Sequence, residues 1–444
     1  MKLYNTYSQK TEEIVPIEDG KISMYVCGPT VYNYPHIGNA RPIVVFDILV
    51  RTLEALGYEV TYASNYTDVD DKIINRAIEE GTDEKEITDR YIKAYADTRT
   101  ALNARQPDYA PRVTETMDHI ITFIDELVKK GAAYQAGNDV YYRVNSDPHY
   151  GELSHQRIDD LVVGARIDEN ENKESPLDFT LWKKTDKGIQ WDSPWGKGRP
   201  GWHTECVVMI QDVFKKPLID IHGGGMDLKF PHHENEVAQC RSISDTRLAN
   251  TWVHNGMINI DNTKMSKSLG NVLWAKDLIE QYGGPVVRWM MISTHYRAPL
   301  NLNNEALENA QKEIRKVEKP LQQALLQLAL NGSAASFDPD EKHYQDFMEA
   351  MSDDLNTPNA ITALMAAVKE LNTALRKREI DIDQVAALAG AISEMMNILG
   401  VEVQVHVPDQ NEIQTWKDWK AAVKDKDFEK ADSLRSQLME AGLV

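Results

Sequence analysis

Residues 21–64 read KISMYVCGPTVYNYPHIGNARPIVVFDILVRTLEALGYEVTYAS, and their pattern decides the fold. β-forming side chains alternate over 22–32, which predicts a strand that ends near Cys27. Apolar residues recur at helical spacing over 36–56, and Gly57 is expected to end that helix. The next strand is predicted over 58–64. A strand, a helix and a strand at this spacing predict a parallel, doubly wound (Rossmann-type) α/β sheet.

The remainder of the chain predicts an insertion in this sheet, then a helical region. Helices are expected over 71–80, 83–103 and 113–130, and short strand-like pieces over 134–144 and 179–183. A buried strand over 217–222 runs into three glycines, and Pro231 is expected to open a helix. Helical periodicity over 304–330, 342–351, 359–376 and 383–399 predicts an α-helical bundle, followed by one amphipathic helix over 416–439.

These patterns predict six consecutive regions. They are a first half of the sheet domain (1–115), an inserted connective domain (116–195), a second half of the sheet domain (196–245), a further region (246–303), a helical bundle (304–400) and a small C-terminal domain (401–444). The family resemblance given below implies that the sheet domain is catalytic and that 246–303 is a stem-contact region.

Length and composition set the broad class. The chain has 444 residues, which suggests about three domains. It has no apolar run of membrane-spanning length and no signal-like start, so a cytoplasmic protein without a membrane partner is expected. Three cysteines, an odd number, favour reduced thiols over a disulfide framework. The net charge of −20 opposes general polyanion binding but leaves room for a local basic strip.

Two short segments predict a nucleotide site. His36-Ile37-Gly38-Asn39 opens a helix directly after a strand, where free N–H groups and the helix dipole favour phosphate. Lys264-Met265-Ser266-Lys267-Ser268 carries two lysines in a loop, which suits neutralisation of charge on a leaving pyrophosphate. An ordinary helix start and a solvated basic turn are the alternatives that each segment leaves open.

Four scattered side chains predict a thiol-rich site. His232 and Glu236 are four residues apart, so both can project from one helical face. Cys27 ends the first strand and Cys206 follows the insertion, so both can reach the carboxyl edge of the sheet. Two thiolates, an imidazole and a carboxylate form a tetrahedral zinc set. A buried cysteine is otherwise a small apolar residue, and Cys240 is a rival ligand on geometry.

The two nucleotide segments, in this order, resemble the paired motifs of class I aminoacyl-tRNA synthetases. Three further segments resemble the bacterial cysteinyl-tRNA synthetase family: MYVCGPTVY at 24–32, GWHTEC at 201–206 and FPHHENE at 230–236. The resemblance implies ATP-dependent activation of L-cysteine, with Mg²⁺ accompanying ATP, and transfer to tRNA(Cys). It also implies one Zn²⁺ per chain that recognises the substrate thiol.

The resemblance also implies roles for particular residues. The zinc ligands would be Cys27, Cys206, His232 and Glu236. The catalytic residues would be His36, Asn39, Lys264 and Lys267. Residues that bind cysteine or ATP would be Gly38, Thr67, Trp202, His222, Gly224, Asp227 and Lys267. The bundle and the tail would contact tRNA.

The chain departs from the family pattern at two places. Asn39 stands where the family usually has histidine, so it can donate a hydrogen bond but cannot carry a charge. The chain stops at Val444, where the family usually continues, so an incomplete anticodon-binding region is expected. A monomer is expected. Two alternatives remain open: a cysteine ligase that acts on an amino sugar, and a zinc-bearing RNA-binding module without catalysis.

Overall fold

The fold is described by a computed structural model that covers residues 1–157, 173–265 and 271–443. Two compact units make up this part of the chain. The first takes in 1–259, 263–278 and 297–300 as far as they are described, and the second is mostly 301–443. Among the described residues, no helix combines the length and the apolar character needed to cross a bilayer.

The strands are, in chain order, β1 Lys2–Asn5, β2 Lys10–Glu13, β3 Lys21–Val26, β4 Glu59–Ser64, β5 Ala133–Ala136, β6 Asp139–Tyr142, β7 Phe179–Lys184, β8 Gly198–Pro200, β9 Ile219–Gly225, β10 Ala249–Asn255, β11 Ile258–Ile260, β12 Thr263–Lys264 and β13 Leu300–Leu302. The helices are α1 Ile37–Ala55, α2 Asp71–Glu80, α3 Glu84–Ala101, α4 Met117–Lys129, α5 Trp202–Phe214, α6 Glu234–Ser244, α7 Ala275–Tyr282, α8 Gly284–Ile292, α9 Asn304–Leu330, α10 Lys342–Ser352, α11 Thr357–Leu375, α12 Ile382–Leu399, α13 Gln410–Asp425 and α14 Phe428–Glu440.

A parallel sheet forms the centre of the first unit, as the sequence predicts. Its strand order is β10-β9-β3-β4, so the strands from the two halves of the chain meet between β9 and β3. Helix α1 connects β3 to β4, and its buried face includes Phe46 and Leu49. The carboxyl ends of β3 and β9 lie side by side, with Val26 paired to Gly223. This edge is where ligands bind in doubly wound sheets.

A separate antiparallel sheet in the order β5-β6-β7-β8 lies between β4 and β9 in the chain, and β8 falls beyond the predicted bounds of the insertion. The expected piece at 134–144 is in fact a hairpin of two short strands that turns at Gly137, whose φ is +64°. Buried side chains of this sheet, of α4 and of α5 share one apolar core with the parallel sheet, among them Val140, Trp182, Ile120 and Val207.

In the second unit, α9 to α12 pack on one another as a bundle, and α13 packs on α14. The expectation of one helix over 416–439 is wrong. Lys426 adopts a left-handed conformation with φ of +61°, and this ends α13. Asp427 then caps α14 by accepting a hydrogen bond from Lys430 N. Neither glycine nor proline marks this break in the sequence, which is why the periodicity did not reveal it.

The helix predicted to open at Pro231 also differs. Phe230 is extended, with φ of −142°, and Lys229–His233 forms an irregular turn before α6 begins at Glu234. The turn still delivers His232 to the same side as Glu236, one helical turn farther along the chain. The predicted proximity of these two side chains therefore holds without a regular helix between them.

Candidate metal centre and nucleotide cleft

Four side chains from four elements meet at the carboxyl edge of the parallel sheet. Cys27 follows β3, Cys206 lies on α5, His232 lies in the turn before α6, and Glu236 lies on α6. Their Sγ, N and O atoms all lie within 4.8 Å of one another. These are the four residues that the sequence analysis selected as zinc ligands, and the structure brings them together.

The donor distances agree with a shared metal ion. The Sγ atom of Cys27 lies 3.4 Å from Sγ of Cys206, 3.6 Å from Nε2 of His232 and 3.4 Å from Oε1 of Glu236. His232 Nε2 lies 2.9 Å from Glu236 Oε1. Donors around a tetrahedral zinc ion stand about 3.3–3.8 Å apart, since their bonds to zinc are about 2.0–2.3 Å long. The residues present therefore fit such an ion after small shifts.

The four side chains of the centre also shift one another's pKa values. Hydrogen bonding with Cys27 lowers the pKa of Cys206 to about 6. Burial disfavours a charged carboxyl at Glu236, but the imidazoles of His222 and His232 outweigh burial and hold its pKa well below the usual range. Burial also disfavours a charged imidazole at His232, but Glu236 outweighs it and raises the pKa to about 10. A thiolate and a carboxylate thus lie together in a buried site, which a divalent cation would stabilise.

A second set of possible metal ligands shares two residues with the first. His222 Nε2 is 2.6 Å from Glu236 Oε2, and His233 belongs to an alternative set with Cys27, His222 and Glu236. His222 is fully buried and its Nδ1 lies 3.2 Å from the carbonyl oxygen of Tyr25. The alternative set has only one thiol, so the set with Cys206 is the better match to the soft-ligand preference of zinc. On this geometry His222 orients Glu236.

Three further histidines lie around the centre, and the sequence analysis assigned no role to them. His233 Nδ1 lies 2.8 Å from Nε2 of His254, whose Nδ1 is 2.9 Å from Thr6 Oγ1. His203 Nδ1 lies 3.1 Å from Nδ1 of His232. Burial lowers the pKa of His203 and of His254 to about 3, so both are neutral. Their adjacency to the motifs was visible in the chain, but their convergence required the fold.

Cys240 lies apart from this group. Its Sγ is 3.5 Å from the carbonyl oxygen of Pro217 and 3.1 Å from Oγ1 of Thr246. It is fully buried in the apolar core. The rival ligand considered from helical spacing is therefore absent from both donor sets that the described residues form.

A cavity of about 450 Å³ lies beside the metal centre. Of the predicted substrate residues, Gly38, Trp202 and Asp227 line it, together with Cys27, His36 and Asn39. Trp202 is 40% exposed and its ring stacks on His232 at 4.2 Å between centroids. A carboxylate, an indole and a thiol-rich centre thus face one cavity, as a pocket for a small amino acid requires.

Three residues that were predicted to bind cysteine or ATP do not line this cavity. Thr67 is buried and donates from Oγ1 to Glu205 Oε2 at 3.1 Å. His222 lies beneath Glu236, as described above. Gly224 is buried, and a Cβ there would lie 2.9 Å from Leu228 Cδ1. Its neighbour Gly225 lines the cavity instead.

Helix α1 begins at the cavity with a reciprocal cap. His36 Nδ1 accepts from Asn39 N at 3.2 Å, and Asn39 Oδ1 accepts from His36 N at 3.2 Å. Asn39 thereby orders the start of the helix, a task that needs no charge. The helix N-terminus faces the cavity and is suited to phosphate.

The lysine-bearing segment and the residues that follow it contact the start of this helix. Ile37 N donates to Leu273 O at 2.8 Å, and Ala275 N donates to Pro35 O at 3.0 Å. A Cβ on Gly38 would lie 2.9 Å from Met265 Cε, so this glycine allows the two segments to approach. Lys267 lies outside the described residues, and the side chain of Lys264 does so too.

Sequence comparison places the chain among proteins of one activity. The family profile described as tRNA synthetases class I (C) catalytic domain matches residues 13–312, and the DALR domain profile matches residues 346–404. A cysteine--tRNA ligase of Halalkalibacterium halodurans is 45% identical over 451 aligned residues, which cover 100% of this chain and 97% of that protein. A cysteine--tRNA ligase of Shouchella clausii is 46% identical with the same coverage of each chain.

Solved structures of low identity share the fold. Methionyl-tRNA synthetase of Mycobacterium tuberculosis in complex with methionyl-adenylate superimposes with a TM-score of 0.63 at 15% identity, covering 85% of this chain and 89% of that one. A putative arginyl-tRNA synthetase of Campylobacter jejuni gives a TM-score of 0.60 at 12% identity, covering 86% and 93%.

Proposed function

Because the chain belongs to the class I tRNA synthetases, within the cysteine--tRNA ligase family, we propose that it activates L-cysteine with ATP and transfers the cysteinyl group to tRNA(Cys). The convergence of Cys27, Cys206, His232 and Glu236 beside the cavity is the observation that supports this substrate most directly. The family resemblance expected from the sequence is confirmed.

We propose that these four residues hold one zinc ion. When bound, zinc supplies a soft Lewis acid that prefers the thiolate of cysteine to the hydroxyl of serine, two side chains that a pocket cannot separate by shape. The buried carboxylate of Glu236, held ionised by His222 and His232, supports this role because it adds negative charge to the two thiols.

Other residues of the cavity are suited to bind the ammonium group of cysteine and the phosphates of ATP. Asp227 is a carboxylate suited to the ammonium group of cysteine, and Trp202 closes the cavity above His232. The N-terminus of α1, with His36 and Asn39, would bind the ATP phosphates, which Mg²⁺ accompanies. The cysteine carboxylate attacks the α-phosphate in line, and pyrophosphate leaves as Lys264 and Lys267 neutralise its charge.

Transfer completes the reaction, when a ribose hydroxyl of the tRNA terminus attacks the cysteinyl carbonyl and releases AMP. We propose that 304–400 and 401–444 contact tRNA, that 116–195 is an insertion in the catalytic domain and that the enzyme acts as a monomer. The DALR domain profile matches 346–404, which lies mostly within this bundle.

The test is cysteine-dependent exchange of pyrophosphate into ATP, followed by transfer to tRNA(Cys) and, separately, to amino sugars. Exchange with cysteine and not serine, followed by transfer to tRNA alone, is the expected result. Transfer to an amino sugar with none to tRNA would refute the proposed acceptor. Exchange that is as fast with serine would refute the proposed role of the metal centre.

A further inference from the structure

Besides the residues of the metal centre and of the α1 N-terminus, a second group of residues lines the cavity, and we call the part that they line the second compartment. Helix α3 contributes Tyr95 and Arg99, β4 contributes Tyr62 and Ser64, and Tyr66 follows β4. All five are buried, with exposures of 7% or less. Asp227 is the one carboxylate among the described residues that line the cavity.

Arg99 carries a buried charge and forms no ion pair with another described residue. Its Nη1 donates to Tyr62 Oη at 3.2 Å and to the carbonyl oxygen of Arg105 at 3.4 Å. The guanidinium also forms a hydrogen bond with Tyr66, and among the described residues no carboxylate lies within ion-pairing distance of it. Asp47 acts on Arg99 electrostatically and helps to raise its pKa, but Asp47 binds Arg51 Nε at 2.9 Å and accepts from Arg105 N at 2.7 Å.

Such an arrangement is unusual for a residue with only a structural task, because arginine is rarely buried unless it is paired. Leaving a buried cation without a counter-charge is costly. Arg99 lines the cavity, which suggests that an anion bound there is the missing counter-charge.

The tyrosines supply further donors. Burial raises the pKa of Tyr66 and that of Tyr95, so both hydroxyls stay protonated. The Tyr66 hydroxyl forms a hydrogen bond with Arg99, and both tyrosines line the cavity. The donors come from β4, from the residues after it and from α3, so they surround the compartment on more than one side. A carboxylate accepts in one plane, whereas a phosphoryl group accepts on three sides, and this distribution favours phosphoryl.

We propose that Arg99, Tyr66 and Tyr95 form a phosphoryl-binding subsite in the second compartment. Two sources share that chemistry. One is the phosphodiester of the terminal nucleotide of tRNA, which must enter the same cavity for transfer to occur, and this source rests on the proposed function. The other is free phosphate or pyrophosphate, which does not.

The binding test is a titration of the full chain with inorganic phosphate, followed by calorimetry, while a non-hydrolysable ATP analogue fills the N-terminus of α1. Arg99→Gln is expected to weaken phosphate binding by tenfold or more, about the effect of losing a charge-assisted hydrogen bond. Tyr66→Phe and Tyr95→Phe remove single hydroxyls without removing packing, and each is expected to weaken binding by about fivefold.

Tyr91→Phe is the matched control. Tyr91 is a buried tyrosine on the same helix, but its hydroxyl lies 3.4 Å from Arg76 Nη2 and it does not line the cavity. It is expected to bind phosphate as the wild type does. A wild type that binds no phosphate, or variants at Arg99, Tyr66 and Tyr95 that all bind as Tyr91→Phe does, would overturn the proposal.

Single-turnover transfer from preformed cysteinyl-adenylate then separates the sources. If the tRNA concentration for half-maximal transfer rises in Arg99→Gln while pyrophosphate exchange is unchanged, the ligand is the tRNA terminus. If transfer is unchanged although phosphate binding is lost, the ligand is free phosphate. A wild type without cysteine-dependent exchange would refute the proposed function but leave the phosphate titration valid.

Discussion

Replacing Cys206 by serine tests the metal centre most directly. The Cys206 thiol is buried, lies 3.4 Å from Sγ of Cys27 and has a pKa lowered to about 6 by that neighbour. Serine preserves the size of the side chain but offers a hydroxyl, which stays protonated and binds zinc poorly. Cys206→Ser therefore changes the ligand chemistry with little change in packing.

The expected magnitude follows from the number of ligands. Structural zinc sites bind with about 10–16 kcal/mol, which divided among four ligands is about 2.5–4 kcal/mol for each. Losing one ligand should weaken zinc binding by about 10²–10³-fold. Selectivity for cysteine over serine in pyrophosphate exchange should fall as zinc is lost, because zinc is the part of the site that distinguishes sulfur from oxygen.

The measurement is bound zinc, by atomic emission, after dialysis of Cys206→Ser against buffers of fixed free zinc concentration. Cys240→Ser is the matched control, because Cys240 is equally buried but bonds to Pro217 and Thr246 away from the centre. The control should bind zinc as the wild type does. Wild-type zinc affinity in Cys206→Ser, or loss of zinc in Cys240→Ser, would refute the ligand set.

Three further predictions address other features. His232→Asn should weaken zinc binding by about 10²–10³-fold and His233→Asn by about tenfold, and the reverse order in the same dialysis assay would favour the alternative donor set. Lys267→Ala should slow pyrophosphate exchange by about 10²–10³-fold with little change in cysteine binding, and near-wild-type exchange would exclude its role. Lys426→Gly should slow hydrogen exchange in 410–440, because the left-handed conformation of Lys426 costs about 1 kcal/mol that glycine avoids, whereas Lys424→Gly inside α13 should speed exchange. Equal exchange in these two variants would contradict that reasoning.

Much of the fold could be predicted because it depends on local periodicity. The strand, helix and strand over 21–64 are confirmed, and the helix predicted over 304–330 matches α9 to the residue. Repeats of 2 and 3.6 residues report which face of an element is buried, whatever its partner is. The break at Lys426 escaped this reasoning, since one left-handed residue costs little and leaves the apolar pattern intact.

The sequence alone determined the kinds of atoms at the site: two thiols, an imidazole and a carboxylate in motifs that the family shares. Only the tertiary structure decided their neighbours. Pairing of β3 with β9 brings Cys27 close to His222. The turn before α6 directs His232 and His233 so that each contacts a different side chain. The same folding gathers Arg99 and the tyrosines at one compartment. Contacts between residues far apart in the chain depend on the order of strands and the packing of helices, which local sequence patterns do not encode.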